Sequence, residues 1–149
     1  MIRQPAPAAS GDALVAALTA EYAAVYAYGP IGVRLPEAAR RAARNAEAAH
    51  RARRDALVMR LSSAGGSIPA DQAGYALPFP VTDAGSALRL AIEVEERTGA
   101  FWRAALPVTT GDDRATALTA LTDCALRATR WRRTAGVTPL TVPFPGRPT

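Results

Sequence analysis

Residues 67–81 read "SIPADQAGYALPFPV". The stretch holds three prolines and shows no helical period, so it is an extended connection. Its reach decides the topology. The helical pattern before it spans about 28 residues, roughly 42 Å of helix. A connection of about fifteen extended residues reaches at most about 50 Å. The segment can therefore run back along a bundle and start the next helix parallel to the one before.

On its N-terminal side lie two helical patterns. The first covers about residues 12–35, where Leu14, Leu18, Glu21, Val25 and Tyr28 recur at spacings of three and four on one stripe. Pro30 removes a backbone donor and is expected to kink or end this helix. The second covers about 36–64. Pro36 suits its first turn and Glu37 follows there, favoured by the helix dipole. Gly65 and Gly66 stop it. Its inner stripe is Ala39, Ala43, Ala46, His50, Leu57 and Leu61. The break between the two is short, so they pack as antiparallel neighbours.

On the C-terminal side, Thr82 or Asp83 caps a third helix over about 83–106. Its expected face is Ala87, Ala91, Val94, Thr98, Phe101, Trp102 and Ala105. A fourth helix follows over about 112–135, with Leu118, Leu121 and Ala125 read as inward. Gly136 and Pro139 end it. The tail, residues 136–149, carries four prolines and is expected to be extended, docked or loose. Trp131 falls away from Leu118 on the fourth helix, a candidate for covering by the tail or by a second subunit, and a homodimer is the expected assembly.

Composition agrees with an all-α reading. The 149 residues suffice for one domain with a sizeable core, and 49% are hydrophobic, with alanine, the best helix former, the commonest of them. Aromatics make up 6%, and packing is the expected role of Tyr22, Tyr26, Tyr28, Trp102 and Trp131. No run reaches the roughly 18 apolar residues of a membrane span, and the N-terminus lacks the apolar core of a secretion signal. A cytoplasmic location is the expectation. The single Cys124 cannot form an internal disulfide and reads as a small packing residue.

All 18 basic residues are arginine, giving a net charge of +5. Arginines 40, 41, 44, 51, 53, 54 and 60 lie on the second helix. They suggest a polyanion such as nucleic acid, but they are interleaved with Glu37, Glu47 and Asp55, and no recognition motif accompanies them. A solvated, salt-bridged face is the expectation. No catalytic serine motif, phosphate loop or zinc spacing is present.

Four helices with one long crossover between the second and third form the ferritin-like arrangement. The stretches "EYAAVYAYGPIG", "EAAHRARRDAL", "YALPFPVTD" and "PFPG" resemble an uncharacterised ferritin-like domain family of high-GC bacteria. The resemblance spans nearly the whole chain. It implies a ferritin-like bundle and no established activity.

The wider superfamily holds two metal ions with one Glu from the first helix, Glu-x-x-His from the second, Glu from the third and Glu-x-x-His from the fourth. Glu21, Glu47, His50 and Glu95 match the first three. The fourth helix departs: Asp123 is its only interior carboxylate, Leu126 stands three residues later, and the chain has no second histidine. Four ligands cannot complete two coordination shells. Two readings remain. Glu21, Glu47, His50 and Glu95 hold a single Fe or Mn with redox or oxygen chemistry. Alternatively, the preferred reading, they form a metal-free polar network with Arg54 as the cation, in a degenerate scaffold that acts through contacts with an unknown protein partner.

Overall fold

The computed structural model describes residues 7–147; the leader reading falls mainly, and the last two tail residues wholly, outside that range. Four helices carry the architecture: α1 Pro7–Arg34, α2 Glu37–Ser63, α3 Ala84–Ala105 and α4 Gly111–Ala135, with a single 3-10 turn at Leu106–Val108. Among the described residues there is no strand. The fold is an all-α four-helix bundle.

Each boundary has a local cause. Pro30 does not end α1, because the helix runs on to Arg34. One lost hydrogen bond near the end is offset by burial of Ile31 and Leu35. The break comes at Pro36, which disfavours helical backbone at Leu35. At the other end of α2, Gly65 takes the left-handed conformation with φ 70°. There the amide of Gly66 donates to the Leu61 carbonyl at 3.0 Å and that of Gly65 to Ser62, the paired bonds of a Schellman stop. Asp83 caps α3. Its carboxylate accepts the Ser86 amide at 2.7 Å, while the Ser86 hydroxyl accepts the Asp83 amide at 3.0 Å.

Side-chain pairings fix the helix directions. On α1 and α3, Glu21 meets Trp102 and Tyr28 meets Glu95, so the two run antiparallel. On α1 and α2, Leu14 and Leu18 share a cluster with Leu57 and Leu61, and Ile31 and Leu35 share one with Ala43 and Ala46, again antiparallel. Arg53 pairs with Asp123 and Arg60 with Asp113, which makes α2 and α4 antiparallel as well. With α2 and α3 both opposed to α1, they run parallel to each other, joined by residues 64–83.

The inward face of α4 differs from the leucine-based reading. Its buried residues are Ala117, Ala120, Leu121, Cys124, Ala128 and Trp131, whereas Leu118 is 55% exposed and Ala125 half-buried. Trp131 is a core residue in this chain and needs no covering subunit. On α3, Phe101 is 44% exposed, and Glu95 and Gly99 take inner positions instead. The cause is common to both: alanine and glycine build the close helix contacts, so the larger apolar side chains do not mark the inner face. At Gly99 an added Cβ would stand 3.4 Å from that of Cys124, a measure of how closely α3 and α4 approach.

After α4 the chain doubles back onto α3. Arg103 donates to the Pro145 carbonyl at 3.0 Å. Gly146, at φ 74°, lies so close to α3 that a Cβ would meet the Gly99 carbonyl oxygen at 2.8 Å.

Candidate functional site: a polar layer between two apolar clusters

The core is two apolar clusters. Leu14, Leu18, Leu57, Leu61, Trp102 and Leu121 belong to one, and Ile31, Leu35, Ala46, Leu90, Ala91 and Trp131 to the other. Between them lie Glu21, His50 and Glu95, each fully buried. A layer of ionisable groups at this depth is stable only if its charges and hydrogen-bonding atoms are matched.

Every helix contributes. From α1 come Glu21 and Tyr28, two turns apart; from α3, Glu95 and Trp102 with the same spacing. From α2 come His50 and Arg53, and from α4 Arg127 and, at the rim, Asp123. His50 is the centre. Its Nδ1 stands 2.7 Å from Glu21 Oε2 and its Nε2 3.1 Å from Glu95 Oε1. Glu21 Oε1 accepts the Trp102 indole N–H at 2.6 Å and is 3.4 Å from Arg53 Nη1. Arg53 reaches on to Asp123 at 2.9 Å. Glu95 Oε1 accepts the Tyr28 hydroxyl at 2.6 Å and Arg127 Nε at 3.0 Å. The Tyr28 oxygen in turn accepts the Trp131 N–H at 2.9 Å. The resulting chain of bonds, Trp131 to Tyr28 to Glu95 to His50 to Glu21 to Trp102, crosses the bundle.

Proton counting follows from this geometry. A neutral imidazole has one N–H, yet both ring nitrogens of His50 face carboxylate oxygens, so an imidazolium satisfies both. Burial lowers the His50 pKa, but the bonds to Glu21 and Glu95 outweigh it and the net direction is up from 6.5. Burial raises Glu95, and the bond to His50 and the charges of His50 and Arg127 outweigh it, holding Glu95 below its ordinary 4.5. Glu21, Glu95 and Asp123 then balance His50, Arg53 and Arg127. One atom is left over: Glu95 Oε2, buried without a hydrogen-bond donor. Burial beside Glu95 and Glu21 pushes the Cys124 thiol well up, so it stays a protonated packing group.

Three of the residues singled out from the sequence, Glu21, His50 and Glu95, come together. Glu47 does not. It pairs with Arg51 at the surface of α2. Arg54 does not enter the layer either, and pairs with its neighbour Asp55 at 2.8 Å. The cations of the layer are Arg53 and Arg127. The helical wheel explains the substitution. Arg54 is about 40° from His50 and Arg53 about 60° to the other side. The Arg53 flank carries Arg60 too and faces α4, while Glu47 and Arg54 share the opposite flank. Which flank faces a neighbour is set by packing alone. Tyr28 and Trp102 had a sequence signal, each two turns beyond a buried carboxylate on the same helix.

On α2, Arg40, Arg51, Arg53, Arg54 and Arg60 each pair with a carboxylate. Among the described residues no helix is long and apolar enough to cross a membrane.

No curated protein matches the chain. Among solved structures, a conserved hypothetical protein from Mycobacterium tuberculosis is similar, with 39% sequence identity and a TM-score of 0.84 over 87% of this chain and 98% of that one. The model of a family described as a domain of unknown function, DUF4439, matches residues 13–149. A match over that length, which takes in the whole polar layer, α2 to α4 and most of α1, means that the protein belongs to the DUF4439 family.

Proposed function

We propose that this chain is a metal-free ferritin-like scaffold of the four-helix type, working through protein–protein contacts, in which a balanced ionic layer occupies the place where the superfamily binds metal. The order of helix pairings supports the ferritin-like part: α2 and α3 both oppose α1, and the long connection lies between them.

The observation that carries the reading is His50 held between two carboxylates, 2.7 Å at one ring nitrogen and 3.1 Å at the other. A single Fe or Mn would need a ring nitrogen and the carboxylates of Glu21 and Glu95 around one point. Those carboxylates lie at different nitrogens of the ring. Arg53 and Arg127 already bring positive charge to them, and Glu47, the remaining candidate ligand, is bound to Arg51. These residues do not fit the metal. Exposed Leu118, Leu126, Phe101 and Met59 offer apolar contact area to a partner or to a second copy in a homodimer. The pairing of most α2 arginines supports a solvated face over a nucleic-acid surface.

Elemental analysis of protein purified without added metal tests this. The expected result is no stoichiometric Fe, Mn or Zn, and a melting temperature unmoved by chelator. Near-stoichiometric metal that disappears in His50→Ala would overturn it. Sedimentation equilibrium reads the homodimer directly.

A further inference from the structure

Beside the polar layer, α3, α4 and the returning tail line a half-open cavity of about 230 Å³. Glu95, Gly99, Cys124 and Ala128 line it from the helices, and Val142 and Pro145 from the tail. Its walls are mostly apolar. Glu95 is the buried carboxylate whose Oε2 has no donor, although three donors converge on its Oε1. An unpaired acceptor of this kind in an interior is costly, and a donor arriving from the cavity would remove the cost.

We propose that this cavity is a binding site for a small neutral molecule with an aromatic-sized apolar body and one O–H or N–H donor, the donor bonding to Glu95 Oε2 and the body filling the space under the tail. Size, polarity and charge each narrow the class. An apolar cavity of about 150 Å³ takes a benzene-sized guest, so this one takes a ring with a small substituent. The apolar walls require an apolar body. The charge condition rests on the balanced layer described above: Glu21, Glu95 and Asp123 are already matched by His50, Arg53 and Arg127, so a cationic guest would leave an excess charge inside. The tail forms part of the wall. It docks through the Arg103–Pro145 bond and the close approach of Gly146 to Gly99, and the cavity opens to solvent past the exposed side chains of Thr122 and Leu126.

The test uses the full chain with p-cresol, toluene and benzylamine, followed by titration calorimetry and by amide chemical shifts. p-Cresol is expected to bind saturably, with the largest shifts on the cavity-lining segments of α3, α4 and the tail. Toluene, which has the same shape without the donor, is expected to bind about tenfold more weakly, the worth of one hydrogen bond to a carboxylate. Ala125→Phe, at a half-buried wall position outside the polar layer, should abolish binding; Thr122→Trp at an exposed lining position serves the same purpose if that variant does not fold. Equal binding of toluene and p-cresol would overturn the role of Glu95 Oε2. No saturable binding of any probe would overturn the site and leave the balanced layer standing. Preferred binding of benzylamine would overturn both the neutral ligand and the charge balance behind it.

Discussion

Tyr28 on α1 donates its hydroxyl to Glu95 on α3 across 2.6 Å, and the same oxygen accepts the indole N–H of Trp131 on α4. One phenol thus ties three helices together inside the bundle. Burial, then the charge and hydrogen bond of Glu95, raise Tyr28 well above its ordinary 10.0. The hydroxyl therefore remains a donor throughout the neutral range. Because the contact lies between the two apolar clusters, it also sets the register of α1 against α3.

Tyr28→Phe keeps the ring and removes this junction. Trp131 loses its acceptor and Glu95 one donor, with little change in volume. The expected destabilisation is about 1–3 kcal/mol, read as a lower urea midpoint at unchanged slope.

Arg127 and Arg54 should behave oppositely. Arg127→Leu leaves the buried Glu95 carboxylate short of a cation and should cost about 3 kcal/mol. Arg54→Leu breaks only a pair with Asp55 near the surface and should cost less than about 1 kcal/mol. Equal losses in chemical denaturation would contradict the assignment of Arg127 to the layer.

Stability should peak in mildly acidic solution. The folded-state pKa of His50 is raised from 6.5, so its stabilisation is fully present below that pH and is lost as pH rises through the folded value. The folded-state pKa of Glu95 is lowered from 4.5, so its stabilisation is present above that pH and is lost as pH falls through the folded value. Denaturant midpoints should therefore be highest between 4.5 and 6.5 and decline on both sides. His50→Gln should flatten the alkaline decline, and the His50 ring proton signals should titrate above 6.5.

Gly146→Ala tests the docking of the tail. Its φ of 74° and the 2.8 Å approach of a Cβ to the Gly99 carbonyl both oppose a side chain there. The expected cost is about 1–2 kcal/mol, confined to the tail. Faster proteolysis and amide exchange after Gly136, with helical circular dichroism unchanged, would show it.

The sequence by itself determined the helices. Proline and glycine punctuation, the Asp83 cap and the inner stripe of α2 are local properties, governed by backbone geometry and by spacing along one helix, and they require no neighbour. It also placed Glu21 and His50 inside apolar stripes, where an ionisable residue is costly enough to be conspicuous in a linear string; Glu95, together with the misplaced Glu47, came from the ferritin-like ligand pattern that the resemblance implies. Only the tertiary structure decided the rest. In an alanine-rich chain the inner face of α4 carries no strong signal, so Trp131 and Leu118 exchanged their expected places. The choice between Arg53 and Arg54, and the recruitment of Arg127, depend on which flank of a helix meets another helix. Long arginine side chains reach several ångströms beyond their own backbone, and periodicity along one helix holds no information about what lies at that distance.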